Sequence, residues 1–224
     1  MIHALLRFLA LMPWRFYWEL SWGKTMFYRT EDGHGLKYNP FKAIIAPRPI
    51  GWISTADSEG HANLAPYSFF QAMQDTPPVI GFSSGHTKPG MDTAKDSITL
   101  IRETEVFGIS IVPYALKDAM NVSSTPFERG VDEFERAGLE KIEAREIPVP
   151  LVKSAPISME CRLRDIIALD AADWVIGDVV AIHIDDAYIR DGLLDVTLYQ
   201  PLARLGYKDY CKVDQIFELP RPKI

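Results

Sequence analysis

The chain has 224 residues, of which 47% are hydrophobic and 24% charged, a globular composition that excludes a disordered, collagen-like or membrane-embedded protein. The length exceeds one typical domain of ~100 to 200 residues but stays within the reach of single-domain barrels. Lys and Arg total 24 against 30 Asp and Glu, a net charge of −6, and no basic cluster provides the electrostatic support that nucleic-acid binding needs.

Only Cys161 and Cys211 are present, too far apart in sequence for a CxxC redox or zinc motif and too few for a disulfide scaffold, so a cytoplasmic setting is expected. Residues 1–25 differ from the rest. They hold Arg7, Arg15 and Lys24 against Glu19 alone. Their longest uncharged run, residues 8–14, is far short of the ~20 residues of a membrane span. Arg7 interrupts the apolar stretch, and Trp14, Phe16, Tyr17 and Trp18 stand where small residues precede a signal cleavage site. The segment is expected to be an N-terminal extension or an upstream start ahead of Met26, with one domain over 26–224.

In chain order, 50–56 is β-rich, 57–60 (DSEG) is a turn, and a second extended run follows, which predicts a hairpin. Residues 75–78 read as loop and 79–82 as a short strand. Thr93 followed by Asp96 makes a capping box, with Ala94, Ile98 and Ile101 at helical spacing, predicting a helix over 93–104. Residues 106–112 are a strand and 114–121 a short helix. The stretch 123–156 is charged, ends among prolines, and reads as an excursion that could shape a substrate entrance. Residues 157–169, 174–184 and 194–199 are further strands. The expected class is mainly β, a β-barrel with peripheral helices.

Residues 81–85 (GFSSG) match the G-x-S-x-G of a hydrolase elbow with Ser83 as nucleophile. Pro89 and Gly90 then oppose the helix that must follow, so serine hydrolysis is only a remote alternative. Met91 and Asp92 stand where a phosphate-binding Walker loop needs Lys and Ser or Thr, and no Rossmann glycine fingerprint occurs. Residues 83–93 nevertheless suit a phosphate: Ser83, Ser84, Thr87, Lys88 and Thr93 lead into a helix N-terminus, although an ordinary solvated loop explains them equally well. The five histidines are scattered, without ligand spacing, and no metal site is expected. His183 within a strand is more simply a satisfied sheet residue.

Taken together, PRPIGWIST at 47–55, NLAPYSFF at 63–70, and Lys88 with Asp92 and Thr93 resemble the flavin reductase-like family of FMN-binding split β-barrels. GDVV at 177–180 and PLARLG at 201–206 resemble that family's closing segments. The resemblance spans about residues 26–222. It implies a six-stranded split barrel, a homodimer, and FMN held near the subunit interface. By residue matching it implies that Ser54, Thr55, Asn63, Ala65, Pro66, Tyr67 and Ser68 line the ring and ribityl parts, and that Ser83, Ser84, Lys88, Asp92 and Thr93 meet the phosphate. Pro89-Gly90-Met91 separates Lys88 from Asp92, so Lys88 or Lys95 could serve; Lys88 is expected, with Lys95 turned to solvent.

The implied function is NAD(P)H-dependent flavin oxidoreduction, hydride passing from NADH or NADPH to FMN N5 and on to an acceptor such as a monooxygenase. Chemistry of this kind is carried by the cofactor, and no catalytic side chain is expected. His183 or Arg204 is the expected nicotinamide contact. The alternative is an FMN electron carrier that never uses nicotinamide directly.

Overall fold

The computed structural model describes residues 25–88, 90 and 94–222; the expectations for residues 1–24 lie outside them. The chain forms two units, one ending at Pro40 and the other running from Phe41. The described part of the first carries turns and bends without helix or strand.

In the second unit, α1 (Phe41–Ile44) and β1 (Arg48–Pro49) precede β2 (Gly51–Ala56), β3 (Ala62–Tyr67), β4 (Phe70–Asp75) and β5 (Pro78–Gly85). Then come α2 (Asp96–Thr104), β6 (Val106–Ile111), α3 (Lys117–Ser123) and α4 (Glu133–Arg136). A small hairpin, β7 (Lys141–Glu143) and β8 (Pro150–Val152), leads to the long strands β9 (Ile157–Ala168) and β10 (Ala172–Ile184). The chain ends with β11 (Ile189–Arg190), β12 (Leu193–Leu194), α5 (Val196–Tyr199), β13 (Leu202–Arg204) and β14 (Tyr210–Lys212).

Seven strands form one antiparallel sheet in the order β3-β2-β6-β9-β10-β5-β4. The predicted hairpin is β2–β3. Its turn is held by Asp57, whose Oδ1 accepts from the amides of Glu59 and His61, with Gly60 at φ +88 where a side chain would be strained. Alternation along the strands sends Ile53, Phe107, Ile109 and Phe82 into one core, which α2 joins through Ile98 and Ile101. Trp52 and Leu64, on the opposite face of β2–β3, pack with Met120 and Phe134 under α3 and α4. This second core is stitched by Trp52 Nε1 donating to Ser123 Oγ at 2.8 Å.

Three expectations need correction. The helix predicted over 93–104 begins at Asp96, with Lys95 as N-cap and no side-chain cap, because the Asp96 carboxylate is drawn to Lys88 at 2.6 Å. Residues 194–199 are not one strand: Asp195 Oδ1 accepts from the Thr197 amide and starts α5, which outweighs the β-propensity of Val196 and Thr197. The strand predicted over 79–82 extends to Gly85 and pairs with both β4 and β10, so the polar serines sit in sheet rather than in loop.

Candidate functional site

Strand β3 lies at the edge of the large sheet, so its outward amides need partners other than a strand. One is met by Glu133, whose Oε2 accepts from the Leu64 N–H at 3.0 Å. The next outward position is Pro66, which has no N–H to satisfy. On the face towards α2, Asn63 Nδ2 donates to Thr55 Oγ1 at 3.2 Å and to Ser97 Oγ at 2.9 Å, tying β2, β3 and the first turn of α2 together.

A cleft of about 100 Å³ opens beside this edge. Asn63, Ala65, Pro66 and Tyr67 line it from β3, Lys88 and Lys95 from the α2 side, and Glu133 with the 123–127 segment from the other. Lys88 is buried, donating to Asp96 Oδ2 at 2.6 Å and to the Phe127 carbonyl at 2.7 Å. Lys95 is half-buried and lies over the Tyr67 ring, 5.1 Å from its centroid. Burial, then the nearby Lys42 charge, lowers its pKa. Burial pushes the Glu133 carboxyl up to about 7, against the Leu64 amide, with Asp96 and Asp132 adding to the rise. The cleft therefore holds two cations, one carboxylate committed to Lys88, and one carboxyl only part ionised near pH 7. That balance favours an anion.

Of the residues named from sequence, Asn63, Ala65, Pro66, Tyr67 and Lys88 meet in this cleft. Thr55 stands behind Asn63 as its hydrogen-bond acceptor. Tyr67 is buried, its hydroxyl hydrogen-bonded with Ser97 and Ser84, and burial raises its pKa. Ser84 thus faces the interior, whereas its neighbour Ser83, on the other face of β5, is partly exposed. Ser54 faces away from Thr55, its hydroxyl packed against Gly108 without a hydrogen-bond partner. Ser68 lies in the bend between β3 and β4. Asp92 and Thr93 lie outside the described residues.

Ser83 sits within β5, opposite Trp174 of β10, so the sharp strand-to-helix elbow of a hydrolase is not formed. Lys95 does not turn to solvent, because the Tyr67 ring draws its ammonium inward. Glu133 and the hydroxyls of Ser123, Ser124 and Thr125 were missed. They lie in or beside the excursion read from 123–156, and only its charged composition hinted at a role. Among the described residues no group of three or more His, Cys, Asp or Glu could hold a metal, and no helix is long and apolar enough to cross a membrane.

The two expected nicotinamide contacts lie elsewhere. Arg204 donates to the Tyr210 hydroxyl and to the Tyr207 carbonyl at 2.5 Å, fastening β13 to β14. His183 Nε2 stands 2.6 Å from Glu160 Oε1 on the far side of β9 and β10 from the main core.

Residues 45–201 match the family described as the flavin reductase like domain. Nitrilotriacetate monooxygenase component B from Bacillus cereus is similar in structure, with a TM-score of 0.80 and 30% identity over 89% of this chain and 100% of that one. The Pseudomonas fluorescens 2-nitrobenzoate 2-nitroreductase NbaA matches with a TM-score of 0.77 and 29% identity, covering 88% of this chain and 96% of that one. A Shewanella frigidimarina protein with a split barrel domain shares the fold, at TM-score 0.76 and 22% identity over 88% and 100% of the two chains.

Proposed function

Given that this chain belongs to the flavin reductase-like family, we propose that it binds FMN and acts as an NADH- or NADPH-dependent oxidoreductase. The observation that carries this reading is the cationic cleft at the β3 edge, where Lys95 stands over Tyr67 without a carboxylate partner among the described residues. A phosphate suits this place: Lys95 supplies charge, and Thr125 at the lining supplies a hydroxyl donor. Asn63, Ala65 and Pro66 form the wall for the ring and ribityl parts. Ligand pockets commonly measure ~300 to 1,000 Å³; the cleft of about 100 Å³ would hold one end of the cofactor, which supports completion of the site by a second copy of the chain.

When bound, FMN supplies the hydride acceptor and the electron relay. The chain's own part is to hold Asn63 rigid between Thr55 and Ser97, keep Lys95 at the anionic end, and present the edge strand's backbone. The likeness to a monooxygenase component supports a partner enzyme as acceptor, and the likeness to a nitroreductase supports a small molecule.

The test is a visible spectrum of the purified chain supplied with FMN, without oxygen, before and after NADH or NADPH. Bleaching of bound flavin by either donor is expected. A flavin spectrum bleached by dithionite alone would replace this reading with the electron carrier, and a chain that retains no flavin would reject both.

A further inference from the structure

A second cavity, of about 230 Å³, lies between β10 and the β7–β8 hairpin and shares no lining residue with the cleft at β3. At its polar end stands His183. Strand β10 is bulged between Val179 and Ala181: Val179 faces Cys161, but Ala181, not Val180, faces Glu160. Without that extra residue His183 would share the face of Val179 and the main core. The bulge turns it to the face of Glu160 and Ser158, the re-aiming of a side chain that bulges near functional sites produce.

Glu160 is fully buried. Its Oε1 accepts from the Arg145 amide at 2.9 Å, and its Oε2 accepts from the amides of Glu146 and Ile147 at 2.7 and 3.1 Å. Burial alone would raise its pKa, but the Arg145 amide, His183 and the Glu146 amide outweigh it and hold the carboxyl below its usual value. An anion so fixed takes the Nε2–H of His183 at 2.6 Å. Its other ring nitrogen, Nδ1, has no hydrogen-bond partner among the described residues. A carboxylate that orients a histidine whose other nitrogen is unused is the orienting half of many binding and acid–base sites.

The rest of the cavity defines what it takes. Leu151 and Val152 are buried at its floor, and Ile142 and Ile184 flank it, 50% and 42% exposed. An apolar cavity of ~150 Å³ accommodates benzene, so the volume here suits one ring with a substituent. We propose that this cavity is a second ligand site, in which His183, oriented by Glu160, hydrogen-bonds through Nδ1 with the hydroxyl of a monocyclic hydroxyaromatic compound. Arg145, Glu143 and Asp185 at the lining would admit a further polar substituent. The proposal does not rest on the flavin reading.

The experiment is an NMR titration of the full chain with phenol, following the His183 ring signals and the Ile142 and Ile184 methyls, with anisole as a probe of equal shape lacking the O–H. Saturable shifts at these residues are expected, with anisole at least tenfold weaker, and with phenol binding lost in His183→Phe. Equal affinity for anisole and phenol in the unaltered protein, shifts confined to Asn63 and Lys95, or no shifts at all would each overturn it. The comparison of the two probes needs no variant and holds even if His183→Phe fails to fold.

Discussion

Lys88 and Asp96 form an ion pair at 2.6 Å, with side chains only 9% and 13% exposed, where α2 begins. The lysine that the sequence nominates for phosphate is therefore already engaged, and Lys95 is the cation in the cleft without a carboxylate partner among the described residues. Lys95→Ala should weaken FMN by ~1.5 to 3 kcal/mol, the range for hydrogen bonds to charged groups, and leave riboflavin nearly unchanged. Calorimetric titration of both ligands decides this; equal weakening of the two would reject Lys95 as the phosphate residue. Lys88→Met should instead destabilise the fold by ~3 kcal/mol, since it strands a buried carboxylate, as read from urea unfolding.

Glu133 gives the pH dependence. Its carboxyl is raised from 4.5 to about 7, so between these values the native chain binds more protons than the unfolded one. The contribution is fully present below about 4.5 and is lost as pH rises through about 7. Glu133→Gln, which keeps an acceptor for the Leu64 amide, should therefore gain on the order of 2 kcal/mol over the unaltered chain at pH 8 relative to pH 4. Urea unfolding at the two pH values measures the difference, and an unchanged gap would show that the carboxyl titrates normally.

Gly177 on β10 leaves room for the Phe107 ring, which is fully buried; a Cβ there would collide with it. Gly177→Ala should cost ~1 to 3 kcal/mol by overpacking. A thermal melt unchanged from the parent would mean that the ring moves aside freely.

The surface predicts assembly. Val180 and Ile182 on β10 are exposed, as are Ile189, Leu193 and Leu194 on the β11–β12 hairpin, Leu193 to 72%. Contiguous exposed apolar patches mark association sites more often than scattered single residues do, and these residues are expected to form one. The chain should sediment as a dimer at micromolar concentration, and Leu193→Glu should shift it towards monomer. A monomeric parent would remove the second copy from the proposed flavin site.

Local pattern was enough for the β2–β3 hairpin, because turn chemistry at Asp57 and Gly60 and the apolar alternation of 50–56 act between near neighbours. The same holds for β6 and for most of β9 and β10. It was not enough for α5, where a single Asp195 cap overrides β-branched residues, nor for the end of β5, where polar serines extend a strand because β4 and β10 flank it on both sides.

The candidate site divides in the same way. The sequence by itself determined the family, the mainly β fold, and the β3 wall of Asn63, Ala65, Pro66 and Tyr67, all of which follow from contiguous motifs. Only the tertiary structure decided that Lys88 is paired, that Lys95 turns inward over Tyr67, that Glu133 caps the sheet edge inside the cleft, and that a bulge brings His183 to Glu160. Each of these depends on the burial of charge and on partners far apart in the chain, such as Lys88 with Phe127 and Leu64 with Glu133, and desolvation is a property of the packed whole rather than of any segment.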